Sequence, residues 1–227
     1  MIEVKICGMT NINDACRAVE SGADALGFIF YPGSPRSISP ERAREVIQKL
    51  PFGVTKVGIF VNQEVREVKE TAAFCGLKLI QLHGDESPQY CSQFQASSLI
   101  KAVCPRTEQD VSGLREYFVR AILMDHREPG RYGGTGKALD WRLASRVKEI
   151  CPLILAGGLN KDNIREAIEA VRPQAVDINS GVEISPGRKD YLKMREIIEI
   201  VRGFSKERGV EDAKILGIVY LTNQGEV

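Results

Sequence analysis

The sequence predicts an α/β fold, a (β/α)8 TIM barrel in a single domain, and three observations point to it. Apolar runs of strand length alternate with amphipathic helical patterns eight times over about 200 residues. The strand runs are nearly continuous in apolar residues, as parallel strands covered on both faces require, rather than alternating as in a one-faced sheet. No G-x-G-x-x-G follows the first strand, which disfavours the runner-up, a doubly wound open sheet. The barrel is expected over residues 1–204, with residues 205–227 left as a carboxyl-terminal extension of unknown structure.

Taken in order, the opening Val4-Lys5-Ile6-Cys7 reads as a buried strand that breaks at Gly8 and ends on a thiol. Ile12, Ala15, Cys16 and Val19 share one face of a first helix that stops at Ser21-Gly22. Ala23 to Phe30 is the second strand, and the prolines of YPGSPRSIS make a stiff loop after it. Ser39-Pro40-Glu41 opens the second helix, the serine capping it, the proline standing where no amide donor is missed and the glutamate at the positive dipole end. Thr55 to Val61 is strand, Glu64 to Cys75 helix, and Leu77 to Leu82 strand, ending at His83-Gly84. Ser87-Pro88 repeats the cap of the second helix, and Leu99 to Val103 is the fifth strand. The helix after it is interrupted by Ser112-Gly113. Ala121 to Met124 ends at Asp125, and a polar loop separates it from a helix beginning at Asp140-Trp141. Leu153 to Ala156 runs into Gly157-Gly158, Asn160 is read as the cap of the next helix, and Ala175 to Ile178 ends in Asn179-Ser180-Gly181. Met194, Ile197, Ile198 and Val201 mark the eighth helix. The ILGIVYL run of residues 215–221 fits a strand docked on the barrel, an oligomer contact or a disordered tail, with disorder the blander reading.

With 227 residues and 43% hydrophobic content the chain can bury a full core. A formal charge of +1 gives no broad field for nucleic acid or an anionic membrane, so no such partner is expected. No run approaches the length of a membrane span, and the amino terminus lacks a secretory pattern; a cytoplasmic location follows. Six scattered cysteines without C-x-x-C fit reduced thiols, and only two histidines argue against a metal centre. A homodimer is left open.

In such a barrel the site lies at the carboxyl ends of the strands. Those positions select Cys7, Arg36, His83, Asp125, Gly157-Gly158 and Asn179-Ser180-Gly181. The two glycine turns follow strands seven and eight, where barrels hold phosphate on backbone amides, against the plainer reading that tight turns need glycine. Arg36, in a loop stiffened by Pro32, Pro35 and Pro40, can grip a carboxylate through both arms of its fork, although most loop arginines face solvent. His83 is read as filler of the barrel mouth. Gly133-Gly134-Thr135-Gly136-Lys137 fails the Walker pattern, since Arg131 and Ala138 stand at required positions, and is read as a mobile loop over the site or an ordinary connection. Cys7 and Asp125 make a base and acid facing across one mouth; separately each has a plain reading, a small buried residue and a loop-ordering carboxyl. Alternation places Lys5 on the face of Cys7 and Asp177 on the face of Asn179, so the two charges are expected to meet inside the barrel, with Lys5 favouring a Cys7 thiolate.

The segments KICGMT, GADALGFIFYPGSPRSISP, VGIFVN, QLHGDE, YGGTGKALDW, LAGGLN and VDINSGVEISPGRKD resemble the phosphoribosylanthranilate isomerase family of tryptophan biosynthesis, over residues 2–204. That resemblance implies an isomerase performing an Amadori rearrangement of N-(5'-phosphoribosyl)anthranilate, with a sugar-phosphate substrate and no cofactor or metal. It implies Asp125 as general acid, Cys7 as general base, Arg36 on the anthranilate carboxylate, and Gly157, Gly158, Ser180 and Gly181 on the phosphate. The His126–Arg131 loop and the tail from Ser205 depart from the family pattern. The rivals are the histidine-pathway isomerase, which has an aspartate at the first strand's end, and a non-catalytic phosphate-binding barrel; Cys7 and the Arg36 loop argue against the first, and Cys7, Asp125 and Arg36 together against the second.

Overall fold

A computed structural model describes residues 1–126, 140–209 and 214–217. Eight parallel strands close into a barrel in chain order: β1 (Glu3–Ile6), β2 (Ala25–Ile29), β3 (Thr55–Phe60), β4 (Leu79–Leu82), β5 (Leu99–Val103), β6 (Ala121–Met124), β7 (Leu153–Leu155) and β8 (Ala175–Ile178). β1 pairs with both β2 and β8, so no strand edge is left open. Among the described residues, eight α-helices follow the strands: α1 (Ile12–Glu20), α2 (Pro40–Ile47), α3 (Val65–Cys75), α4 (Pro88–Cys91), α5 (Glu108–Gly113), α6 (Trp141–Lys148), α7 (Ile164–Val171) and α8 (Tyr191–Glu207). This is the TIM barrel that the alternation predicts.

Local chemistry sets most helix starts. Ser39 and Ser87 cap α2 and α4 through the amides of Arg42 and Tyr90, each with proline in the first turn. Thr107 and Asp110 form a reciprocal capping box that starts α5, which passes into a 3-10 turn at Leu114–Glu116. Asn160 does not cap α7. Its side chain accepts from the Asp162 amide in a turn that precedes the helix, and Asn163 holds the N-cap position. Lys161 and Asp162 are exposed in that turn, so no apolar face calls for an earlier start.

The core has two parts. Outward-facing strand residues such as Val4, Ile6, Leu26, Phe28 and Leu82 pack under the helix stripes, including Val46, Val68, Ile168 and Ile197, all almost fully buried. Inside the barrel, Ala25, Val57, Leu79, Ile100, Leu123 and Ile154 fill the amino-terminal half, while Cys7, Ile29 and Ile59 line the carboxyl-terminal half. A two-stranded hairpin, β9 (Glu183–Ser185) and β10 (Arg188–Lys189), follows β8 and packs beside the loop after β1, where Thr10 donates to the Gly187 carbonyl and the Lys189 amide donates to Asp14. Beyond α8, the segment Lys214–Gly217 lies across the amino-terminal mouth, with Leu216 buried among the interior apolar residues. No helix among the described residues is long and apolar enough to cross a membrane.

Candidate active site

A cavity of about 400 Å³ opens at the carboxyl ends of the strands, within the size range of small-molecule sites. Cys7 after β1, Arg36 in the loop after β2, Asp125 after β6, Gly157-Gly158 after β7 and Ser180 after β8 all line it. Gly181 does not appear in the lining, but it sits against the neighbouring turn: a Cβ there would fall 2.0 Å from the Leu159 carbonyl oxygen. The two turns therefore pack backbone to backbone. Gly157 and Gly158 both adopt positive φ, 83° and 77°, a conformation that opens the turn at little cost only for glycine. The loop of residues 127–139, with the Gly133–Lys137 stretch, lies outside the described residues.

Under Cys7, Lys5 and Asp177 meet as the alternation predicts. They are register partners on β1 and β8, and Lys5 Nζ lies 2.8 Å from Asp177 Oδ2 with the lysine fully buried. The contact is one of charges rather than an aligned hydrogen bond, and among the described residues Asp177 Oδ1 has no hydrogen-bond partner. Burial by itself pulls the Lys5 ammonium down, but Asp177 and Cys7 outweigh it and hold it above its ordinary value.

Lys5 acts on the thiol in the expected direction, but burial outweighs it. Burial pushes Cys7 up to about 11; Lys5 and Lys189 pull it down, and Asp177 pushes it further up. Lys5 does not deliver a thiolate in the unliganded site because the cost of burying a thiolate exceeds its pull, part of which Asp177 offsets.

The hairpin adds a second set of buried charges that the sequence reading did not pick out. Arg36 donates from Nε and Nη2 to Glu183 at 2.7–3.0 Å, so the two arms expected to take a ligand carboxylate are committed to Glu183. Lys189, fully buried at its side chain, donates to the Asn179 carbonyl, to Asn179 Oδ1 and to Glu183 Oε1. Burial would raise Glu183, yet Arg36 and Lys189 hold it below its ordinary value. Lys189 itself is pulled down by burial, against the opposing pull of Glu183. The Ser185-Pro186-Gly187 turn signal between VEIS and RKD could have revealed the hairpin. Nothing in the local pattern says that Glu183 would fold back onto Arg36, 147 residues earlier.

His83 is more than filler. It lines the cavity, with Nε2 3.4 Å from Asp125 Oδ2 and Nδ1 2.8 Å from the Gln81 side-chain nitrogen. On β5, Lys101 forms another buried pair with Glu86 at 2.8 Å, and Glu86 also accepts from the Asn62 and Gly84 amides. That network fixes the loop carrying His83.

Residues 4–200 match the family model for N-(5'phosphoribosyl)anthranilate (PRA) isomerase. An isomerase of that name from Syntrophus aciditrophicus is 54% identical over 214 residues, covering 94% of this chain and 93% of its own. One from Geobacter sulfurreducens is 48% identical over 204 residues, covering 90% of this chain and all of its own. The crystal structure of phosphoribosyl anthranilate isomerase from Thermotoga maritima superposes with a TM-score of 0.81 at 45% identity, covering 89% of this chain and all of that one. A further structure of the enzyme holds reduced 1-(o-carboxyphenylamino)-1-deoxyribulose 5-phosphate, at 42% identity and a TM-score of 0.79, covering 89% of this chain and all of that one. By sequence along almost the whole barrel and by fold, the chain belongs to the N-(5'-phosphoribosyl)anthranilate isomerase family.

Proposed function

We propose that this chain carries out its family's reaction, the isomerisation of N-(5'-phosphoribosyl)anthranilate to 1-(2-carboxyphenylamino)-1-deoxyribulose 5-phosphate in tryptophan biosynthesis, by general acid–base catalysis with Asp125 and Cys7. The observation that supports these roles is the opening of Cys7, Asp125, Arg36 and both glycine turns onto one cavity. Asp125 gives its proton to the ribose ring oxygen as the C1'–O bond breaks, and the anthranilate nitrogen lone pair forms the C=N bond. The Cys7 thiolate then takes the C2' proton. The C–H electron pair becomes the C1'=C2' bond and the nitrogen recovers its lone pair. The resulting enolamine gives its hydroxyl proton to the site and takes one from it at C1', giving the ketone with no net change in the protons the site holds.

A thiol held near pKa 11 must lose its proton before the second step, and the Asp125 carboxylate left by ring opening receives it. The iminium formed by ring opening supplies the missing cation: a positive charge beside Cys7 favours the thiolate, and Lys5 and Lys189 already act in that direction. His83 is placed to hold Asp125 in position. Gly157, Gly158, Ser180 and Gly181 hold the phosphate on backbone amides. Arg36, oriented by Glu183, meets the anthranilate carboxylate through the donors that Glu183 leaves, those of Nη1 above all. The six free cysteines accord with a cytoplasmic location. The dimeric phosphoribosylanthranilate isomerase of Thermotoga maritima supports a homodimer, which sedimentation would test.

The deciding experiment follows the fluorescence of phosphoribosylanthranilate as it is consumed by the wild type and by Cys7→Ala. Near-normal turnover by Cys7→Ala would remove the base assignment. Turnover of the histidine-pathway aminoaldose in preference to phosphoribosylanthranilate would remove the substrate.

A further inference from the structure

At the barrel end opposite Cys7 stand two charged side chains that no step of the isomerisation uses, Glu3 on β1 and Arg120 just before β6. Glu3 is 7% exposed. Its carboxylate accepts from three consecutive amides: Ile215 at 2.6 Å and Leu216 at 2.7 Å on Oε2, and Gly217 at 2.8 Å on Oε1. Successive N–H groups converging on one anion form a nest, and here the tail supplies the nest while the barrel supplies the anion. Arg120 reads the opposite polarity of the same backbone. Its guanidinium donates to the carbonyls of Lys214, Ile215 and Gly217, and is tied to the barrel through the Ser97 carbonyl.

Between these two groups, Leu216 is fully buried against the interior apolar layer that includes Ala25, Val57, Ile100 and Ala175. The next position is close to the carboxylate: a Cβ on Gly217 would lie 3.2 Å from Glu3 Oε1, so the Glu3 side chain would have to yield slightly to a larger residue. We propose that the amino-terminal mouth of this barrel is a peptide-docking site, built from Glu3, Arg120 and the apolar layer beneath them, whose occupant is the chain's own Lys214–Gly217 segment. Glu3 and Arg120 bind backbone and give affinity; the leucine pocket gives specificity. The acceptor, the donor and the apolar floor are all held by strands or strand ends, so the site is formed before the segment arrives. Filling it shields apolar interior from water and links occupancy to barrel stability.

The test uses a fluorescein-labelled peptide of residues 210–221, offered to the full chain and to a chain ended at Gly209. The barrel strands and helices are complete by Glu207, and the Geobacter sulfurreducens and Thermotoga maritima relatives are matched along their whole length while leaving a tenth of this chain uncovered. The ended chain should bind the peptide saturably and the full chain, its mouth already filled, should not. Leu216→Asp in the peptide should weaken binding about tenfold or more. Equal binding to both chains, or binding to neither, overturns the proposal. A readout on the intact protein stands independently of whether the ended chain folds. The amides of Ile215, Leu216 and Gly217 should exchange about a hundredfold slower than an unstructured chain, and Leu216→Asp should abolish that protection while leaving turnover unchanged. Exchange at unstructured rates in the wild type, or protection that vanishes on dilution because the segment sits in a second copy, overturns the assignment.

Discussion

The two mouths of the barrel hold similar materials and use them differently. At the amino-terminal end, Glu3 and Arg120 direct their hydrogen bonds to the backbone of Lys214–Gly217, and Leu216 closes the apolar layer. At the carboxyl-terminal end, Cys7, Asp125 and His83 face a cavity, and the buried pairs Lys5–Asp177 and Lys189–Glu183 sit below and beside it. Charges matched by the chain's own backbone close a surface and contribute stability. Charges paired with one another around a cavity set the potential in which a ligand's charges are received. The contrast predicts that substitutions at the carboxyl-terminal mouth act first on turnover, and those at the amino-terminal mouth on stability alone.

The largest expected effect is on the chemistry. Cys7→Ala and Asp125→Ala should each lower kcat by roughly 10² to 10⁴, the range for a positioned base or acid, with an unchanged unfolding midpoint. Near-normal turnover in Asp125→Ala would break the comparison at its strongest point. Next is the pair beneath the thiol. Lys5→Met leaves Asp177 as an unmatched buried carboxylate and should cost about 3–5 kcal/mol in denaturant unfolding, as removal of one partner of a buried pair does. A loss no greater than that of a surface pair such as Arg42–Glu45 would show that water reaches the interior.

A pH experiment sharpens the thiol. Folding raises Cys7 from its ordinary 9.0 to about 11, so the folded chain holds that proton more tightly than the unfolded one. The corresponding stability is fully present below pH 9 and is lost as the pH rises towards about 11. Alkylation of Cys7 by iodoacetamide in the unliganded enzyme should accordingly be slow at neutral pH and climb about tenfold per pH unit, with Cys7→Ala as the control for the other thiols. A plateau near pH 8 would show that Lys5 and Lys189 prevail over burial. The smallest effect belongs to the other mouth: Glu3→Gln, which keeps the shape but weakens the acceptor for three amides, should cost about 1–3 kcal/mol of stability with kcat and KM unchanged. A change in KM would mean that the two ends are coupled.

Strand and helix order were legible because each element carries its own signal. Continuous apolar runs marked the strands, and Ser39-Pro40 and Ser87-Pro88 marked helix starts through contacts that span three residues. The meeting of Lys5 and Asp177 was also legible, because period-two alternation fixes the facing side and barrel closure makes the first and last strands neighbours. The pairing of Arg36 with Glu183, the Lys189 contacts and the docking of Leu216 under Glu3 were not. Each joins groups through loops or a tail whose path no periodicity describes.

Sequence alone was enough to establish the eightfold alternation, the family, and which residues stand at the strand ends, because these depend on short-range pattern and chain order. Only the tertiary structure decided what those residues experience: that Cys7 rests as a thiol despite its lysine neighbour, that Arg36 has its fork committed, and that the tail crosses the far mouth. Proton affinity and hydrogen-bond commitment depend on burial and on every charge within a few ångströms, and the chain brings those neighbours from distant positions only when it folds.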